Sequence, residues 1–179
     1  MDRHITRKAM QYIDVFELSR TRRSIDGELT LNDMPELGAL LEGQSVSAHV
    51  RYQALGTAGH RDLPGADLTI EAVITTQCVR CGTPVEVRIE KTVPFLFVKS
   101  EKEADEMPIE EDDGFEIVVG SRRFALADWV QEEVILSLPA FPQHEDCEPD
   151  REKLQTEETP ETLERPNPFA VLASLKTKK

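Results

Sequence analysis

Apolar and polar residues alternate along several stretches of the chain, and this period of two predicts half-buried β-strands. The clearest alternation covers residues 46–52, 68–74 and 85–89. Residues 13–18 alternate more weakly and predict another strand, and residues 115–119 predict a short one. Strands with one apolar and one polar face are typical of an antiparallel sheet that covers a core on one side.

A helical period replaces the alternation in one segment of the second half. Apolar residues there recur at helical spacing and predict a helix of about residues 126–137, ended by Pro139. A shorter helix is expected at residues 36–42. Residues 56–66 contain three glycines and a proline and are expected to form a long hairpin loop. If the third clear strand continues past Pro94, that residue suits a sheet edge or a bulge.

These elements predict an α+β fold, namely a mostly antiparallel sheet or partial β-barrel with one main C-terminal helix and an extended acidic tail. Trp129, on the apolar face of that helix, is expected in the core. The predicted organisation is a loose arm (1–12), a single α+β domain (13–144), an acidic linker (145–165) and a docking helix motif (166–179).

The charge of the chain is concentrated in two windows. Residues 101–116 and 145–164 carry nine acidic residues each against three basic residues in both together, whereas the formal net charge of the whole chain is -13. Acidic runs of this kind are typically solvated. The remaining chain is nearly neutral, so a broad RNA-coating surface is not expected, because general binding to nucleic acid needs a basic face. A protein partner, or a small RNA contact beside one, fits better.

The chain shows no leader-like N-terminal segment and no apolar stretch long enough to cross a membrane. Its three cysteines, an odd number, argue against a secreted disulfide framework. We therefore expect a cytoplasmic protein with no membrane association, and no motif indicates a small-molecule substrate.

Two pairs of metal-ligating residue types stand far apart in the sequence. Cys78 and Cys81 form a Cys-x-x-Cys pair between two predicted strands, followed by a glycine, and His144 and Cys147 follow the predicted helix. Three sulfurs and one imidazole are a permitted tetrahedral ligand set for structural zinc, if the two pairs converge. The alternative is that Cys78 and Cys81 are reduced turn residues and Cys147 is incidental. The sequence leaves both open.

Two groups of arginines are candidate RNA contacts. They are Arg20, Arg22 and Arg23 near the N-terminus, and Arg122 and Arg123 just before the main helix. The alternative for the second group is that it balances the neighbouring acidic window, since isolated surface charges contribute little.

The end of the chain carries a small capped helix pattern within the stretch Arg-Pro-Asn-Pro-Phe-Ala-Val-Leu-Ala-Ser-Leu-Lys at residues 165–176. Asn167 is a good N-cap and Pro168 occupies the first helical position. Phe169, Leu172 and Leu175 form one apolar stripe. Because so short a helix does not form alone in water, it must dock on a partner or on its own domain.

Taken in order, these motifs resemble the YceD family of large ribosomal RNA accumulation proteins, from about residue 13 to the C-terminus. The resemblance is carried by the Cys-x-x-Cys pair, the helix end Glu-Glu-Val-Ile-Leu-Ser-Leu-Pro (132–139), the His/Cys pair and above all the terminal motif. It implies a bacterial factor for 23S rRNA synthesis, processing or stability and for large-subunit assembly. It implies action through an assembly protein or precursor 23S rRNA, and no established catalysis.

Two other functions remain as alternatives. The first is a metal-dependent RNA-processing enzyme, for which Asp112 and Asp113 of the first acidic window would supply carboxylates. The second is a zinc-stabilised adaptor unrelated to ribosomes.

Overall fold

The sheet and its flanking helices follow from the alternation and helical periods of the sequence. The structure, a computed structural model, describes residues 12–41, 46–59, 63–107 and 114–149. In chain order its elements are β1 (Tyr12–Ile13), α1 (Val15–Thr21), β2 (Ser24–Thr30), a 3-10 turn (Leu31–Asp33), α2 (Pro35–Leu40), β3 (Ser47–Ala58), β4 (Pro64–Gln77), β5 (Pro84–Val98), α3 (Glu101–Asp105), β6 (Glu116–Val119), β7 (Phe124–Ala125) and α4 (Leu126–Ser137).

Five strands form one sheet in the order β2-β3-β4-β5-β6. The strands β2 to β5 are an antiparallel meander, whereas β6 lies parallel to β5. A separate two-stranded ribbon joins β1 to β7. The α+β prediction with a mostly antiparallel sheet is therefore confirmed, and the described residues form no closed barrel.

The inner face of the sheet is buried under helices α1, α2 and α4. Val50, Ile70 and Ile74 on this face are fully buried, as the alternation predicts. Helix α4 covers the residues predicted from its period, and Trp129 is 3% exposed, which confirms its place in the core. The Trp129 ring makes edge-to-face contacts with three phenylalanines, which are Phe95, Phe97 and Phe124.

The predicted strand at residues 13–18 is wrong, because most of this segment is helix α1. Asp14 caps the helix, and its Oδ1 accepts hydrogen bonds from the backbone N–H groups of Phe16 and Glu17, each at 3.0 Å. The buried residues Val15, Leu18 and Ser19 have helical spacing. A window of only six residues fits both the strand period of two and the helical period. The N-cap and the surface on which the segment packs therefore decide that it is a helix.

The predicted long loop at residues 56–66 is mostly strand. Strand β3 continues to Ala58 and β4 begins at Pro64, and these two residues pair with each other. The glycines allow close packing instead: a Cβ on Gly56 would lie 2.0 Å from the carbonyl oxygen of Leu18. Ser19 Oγ then donates to the carbonyl of Thr57 at 2.7 Å and accepts from the N–H of Gly65 at 3.0 Å. Glycine here lets the backbone of α1 approach the hairpin.

Pro94 lies inside β5, just before the residues of β5 that pair with the described part of β6. Strand β6 pairs with β5 from Phe95 to Val98, so the described residues leave Pro94 on an outer segment of β5. The preference for an edge position is thus confirmed, since proline has no N–H to donate.

Two further boundaries differ from prediction. Helix α2 ends at Leu40, so it is shorter than expected. The beginning of the first acidic window, expected as a solvated loop, forms helix α3, in which Ser100 Oγ accepts from the N–H of Glu103 at 3.3 Å.

Among the described helices, none has the length and apolar character needed to cross a bilayer. Residues 1–11 and 150–179 lie outside the described ranges, as does the docking motif with Asn167, Pro168, Phe169, Leu172 and Leu175. The predicted division into arm, domain, linker and motif therefore stays a prediction.

Candidate metal centre

The two cysteine-containing pairs predicted from the sequence meet in space. Cys78 and Cys81 lie in the turn between β4 and β5, and His144 and Cys147 lie on the segment after α4. Their four ligand atoms all lie within 4.8 Å of one another, in a group that could hold a metal ion. The Sγ atoms of Cys78 and Cys147 are 3.7 Å apart, and Cys81 Sγ is 3.5 Å from His144 Nδ1.

The turn that carries the first pair is tightly built. The N–H of Gly82 donates to the carbonyl of Cys78 at 2.9 Å, and the N–H of Cys78 donates to the carbonyl of Thr83 at 2.8 Å. Gly82 has a φ of 74°, in the left-handed region that favours glycine. This turn places both thiols on the same side of the hairpin end.

Protein hydrogen bonds hold the second pair against the turn. The N–H of Val79 donates to the carbonyl of Pro142 at 2.9 Å. The Arg80 guanidinium donates to the carbonyl of Cys147 at 3.3 Å and to Gln143 Oε1 at 2.9 Å. Sequence reasoning did not single out Arg80, because its role depends on a segment more than sixty positions away.

The imidazole of His144 is oriented as a ligand. Its Nε2 lies 3.1 Å from the carbonyl oxygen of Pro84. Since a carbonyl oxygen only accepts, Nε2 donates to it, and in the neutral ring the lone pair is on Nδ1, the atom that faces Cys81. A backbone carbonyl that fixes the tautomer in this way is typical of metal-bound histidines.

The electrostatics of the cluster favour anionic sulfur on the hairpin. Burial raises the pKa of the Cys78 thiol, but backbone hydrogen bonds from Cys81, His144 and Arg80 outweigh it and lower this pKa to about 5. Hydrogen bonds from Thr83 lower the pKa of Cys81.

The cysteines of the hairpin turn also change the pKa values of His144 and Cys147. The pKa of His144 is raised by hydrogen bonds to Cys81 and Cys78, and that of Cys147 is raised by burial and by the neighbouring cysteines. The cluster therefore attracts positive charge. Three acidic residues next to these ligands in the sequence, Glu145, Asp146 and Glu148, are exposed to solvent.

The five arginines predicted as RNA contacts lie elsewhere, around α1 and β7. Arg20, Arg22 and Arg23 lie at the C-terminal end of α1 and just beyond it, and Arg22 adopts a left-handed conformation with φ 50°. Arg122 and Arg123 immediately precede β7 and are exposed. Asp112 and Asp113, the carboxylates of the enzyme alternative, lie outside the described residues.

Comparison with known proteins matches most of the chain to one family. Residues 66–176 match the model of the family described as Large ribosomal RNA subunit accumulation protein YceD. This range contains the four residues of the cluster and the terminal motif. A Haemophilus influenzae protein with the same description is 33% identical over 118 residues, which are 61% of this chain and 63% of that protein. The chain thus spans less than two thirds of that relative, and no solved structure matches.

Proposed function

Because the chain belongs to the YceD family of large ribosomal RNA subunit accumulation proteins, we propose that it is a cytoplasmic, non-enzymatic ribosome biogenesis factor that supports 23S rRNA and large-subunit assembly. The match of residues 66–176 to the family carries this proposal. We include in it a structural zinc ion held by the cysteine–histidine cluster.

The distances within the cluster support zinc. With Zn–S bonds of about 2.3 Å and Zn–N bonds of about 2.0–2.1 Å, a tetrahedral site has S···S edges of about 3.8 Å and S···N edges of about 3.5 Å. Two of the six edges match these values, with 3.7 Å between Cys78 Sγ and Cys147 Sγ and 3.5 Å between Cys81 Sγ and His144 Nδ1, and all four ligand atoms lie within 4.8 Å of one another. Four protein ligands fill such a site, whereas catalytic zinc keeps one open position. The ligand set therefore favours a structural role.

A metal at this position would fasten the segment after α4 to the β4–β5 turn. The predicted acidic linker begins at this segment. Zinc would thus set the point from which the C-terminal part of the chain leaves the domain.

Metal analysis of protein purified without chelator tests the zinc. We expect about one zinc per chain, lost in His144→Ala because the ligand Nδ1 is removed. His49→Ala is the matched control, since His49 is exposed on β3. Absence of zinc from the wild-type chain, or its retention in His144→Ala, would contradict the four-ligand site.

The biogenesis role is tested in cells that lack this protein. We expect the ratio of 23S to 16S rRNA to fall and to recover when the wild-type chain is restored. An unchanged ratio would refute the role. A pull-down with and without RNase then separates the two modes of action, because capture of large-subunit proteins that survives RNase favours a protein partner.

The terminal motif is the proposed docking element for that partner. Truncation after Leu163 removes Phe169, Leu172 and Leu175 while leaving residues 12–149 intact. We expect partner capture to be lost and the melting temperature to stay unchanged. A large fall in melting temperature would instead place the motif on its own domain.

A further inference from the structure

A cavity of about 340 Å³ opens beside α1. Its size is at the small end of ligand cavities, which range from roughly 300 to 1,000 Å³, so it suits a group the size of one nucleotide. Its chemistry is mixed: one aromatic ring, two carboxylates and one guanidinium lie among aliphatic side chains. The lining includes Tyr12, Asp14, Glu17, Arg23, Ile13 and Ile25.

Arginines from two distant parts of the sequence surround this cavity. Arg23 lines it, and Arg20 Nη2 lies 3.7 Å from Oε1 of Glu17. The Arg123 guanidinium carbon lies 4.2 Å from the centroid of the Tyr12 ring, a cation–π distance. Pairing of β1 with β7 brings Arg123 here, although about a hundred positions separate it from the first group.

The outer face of the sheet is acidic, in contrast to the arginines around the cavity. Its register aligns Glu28, Arg51, Glu71 and Glu90 across four strands, and all four are exposed. This row is net acidic and would repel a phosphate backbone. Within the described residues, the arginines around the cavity therefore offer the more favourable approach for RNA.

We infer that the cavity binds an unpaired base of single-stranded RNA, an inference that rests on the proposed role in 23S rRNA accumulation. The base stacks on the face of the Tyr12 ring opposite Arg123, and Tyr12 is 41% exposed and lines the cavity. Stacking on aromatic side chains is the general way in which proteins hold unpaired bases.

The carboxylates of the cavity then serve as acceptors. Glu17 Oε1 forms ion pairs with Arg20 Nη2 at 3.7 Å and with Arg23 Nη2 at 3.8 Å. Both contacts are longer than a hydrogen bond and leave Oε2 aside, so Oε2 can accept from a base N–H group. The arginines contact the flanking phosphates. Because the carboxylates accept from N–H groups and the arginines attract phosphates, the site favours a nucleotide whose base has N–H donors over inorganic phosphate.

Fluorescence anisotropy with a labelled twelve-nucleotide single-stranded RNA, and with the same sequence as a duplex, tests the inference. We expect the single strand to bind more tightly than the duplex. Tyr12→Leu should weaken binding by about 5- to 150-fold, the range for loss of one stacked base. Arg23→Gln and Arg123→Gln should each weaken binding. Each should also make the slope of the logarithm of the binding constant against the logarithm of the salt concentration less steep, by about 0.7 per lost phosphate contact.

Arg88→Gln is the matched control, because Arg88 lies on the outer face of the sheet beside Glu86. Equal weakening by Arg88→Gln, equal affinity for duplex RNA, or no RNA binding by the wild-type chain would overturn the inference. If circular dichroism shows that Tyr12→Leu does not fold, the two arginine variants still test the inference.

The cellular experiment separates this inference from the biogenesis role. If Arg23→Gln weakens RNA binding while 23S rRNA accumulates normally, the result supports RNA binding at the cavity and contradicts a part for that binding in the biogenesis role. Protection of Tyr12 by a ribosomal protein, with no RNA bound, would likewise overturn it. If RNA binds as expected but loss of the chain leaves 23S rRNA unchanged, the proposed function alone fails.

Discussion

Replacing Gly56 by alanine tests how closely helix α1 packs on strand β3. The new Cβ would lie 2.0 Å from the carbonyl oxygen of Leu18 and 2.5 Å from its carbonyl carbon. Real Cβ atoms essentially never approach other atoms to within 3.0 Å. Helix α1 would therefore have to move away from β3 by about 1 Å or more.

The cost follows from what such a movement breaks. Ser19 Oγ holds α1 to the hairpin through Thr57 at 2.7 Å and Gly65 at 3.0 Å. Losing these two hydrogen bonds costs about 2 kcal/mol, and the strain of overpacking adds about 1–3 kcal/mol. We expect Gly56→Ala to lower the free energy of unfolding by about 3–5 kcal/mol, or the melting temperature by roughly 10 °C.

Gly38→Ala is the matched control, because the added Cβ makes only an ordinary van der Waals contact there. The nearest atom to a Cβ on Gly38 is Leu31 Cδ1, at 4.0 Å, and the residue lies inside helix α2. Alanine is the better helix former, so Gly38→Ala should stabilise by up to about 1 kcal/mol. Urea unfolding followed by fluorescence of the buried Trp129 measures both variants. A Gly56→Ala variant within 0.5 kcal/mol of wild type would refute the packing argument.

Two further predictions concern charges on α4. Glu133 is buried and pairs with Lys91 of β5, so Lys91→Met should destabilise by about 2–4 kcal/mol, because it leaves a buried charge unpaired. In Lys102→Met, which removes an exposed ion pair on α3, the urea midpoint should hardly change, and equal effects of the two variants would contradict the reasoning. The pKa of Glu132 is raised by burial and by nearby carboxylates such as Glu36. Since its ionised form is disfavoured in the folded state, Glu132→Gln should be more stable than wild type at neutral pH. This gain should vanish below the usual pKa of a glutamate, and a gain independent of pH would count against the cause.

The sequence by itself predicted the elements whose period is long and unambiguous. Strands β3 and β4 each contain seven alternating positions and β5 contains five, and α4 has three turns ended by a proline, so local periodicity suffices. The ligand types of the candidate metal centre were also readable, because spacing in a tight turn depends only on neighbouring residues.

Only the tertiary structure decided how distant segments meet. The short segment at α1 fits either period until the cap of Asp14 and the packing on the hairpin select a helix. Gly56 resembles a loop glycine until the approach of that helix shows why no Cβ fits. The convergence of Cys78 with Cys147 depends on where the chain leaves α4 relative to the hairpin end. That position is set by packing across the whole core, and no local pattern encodes it.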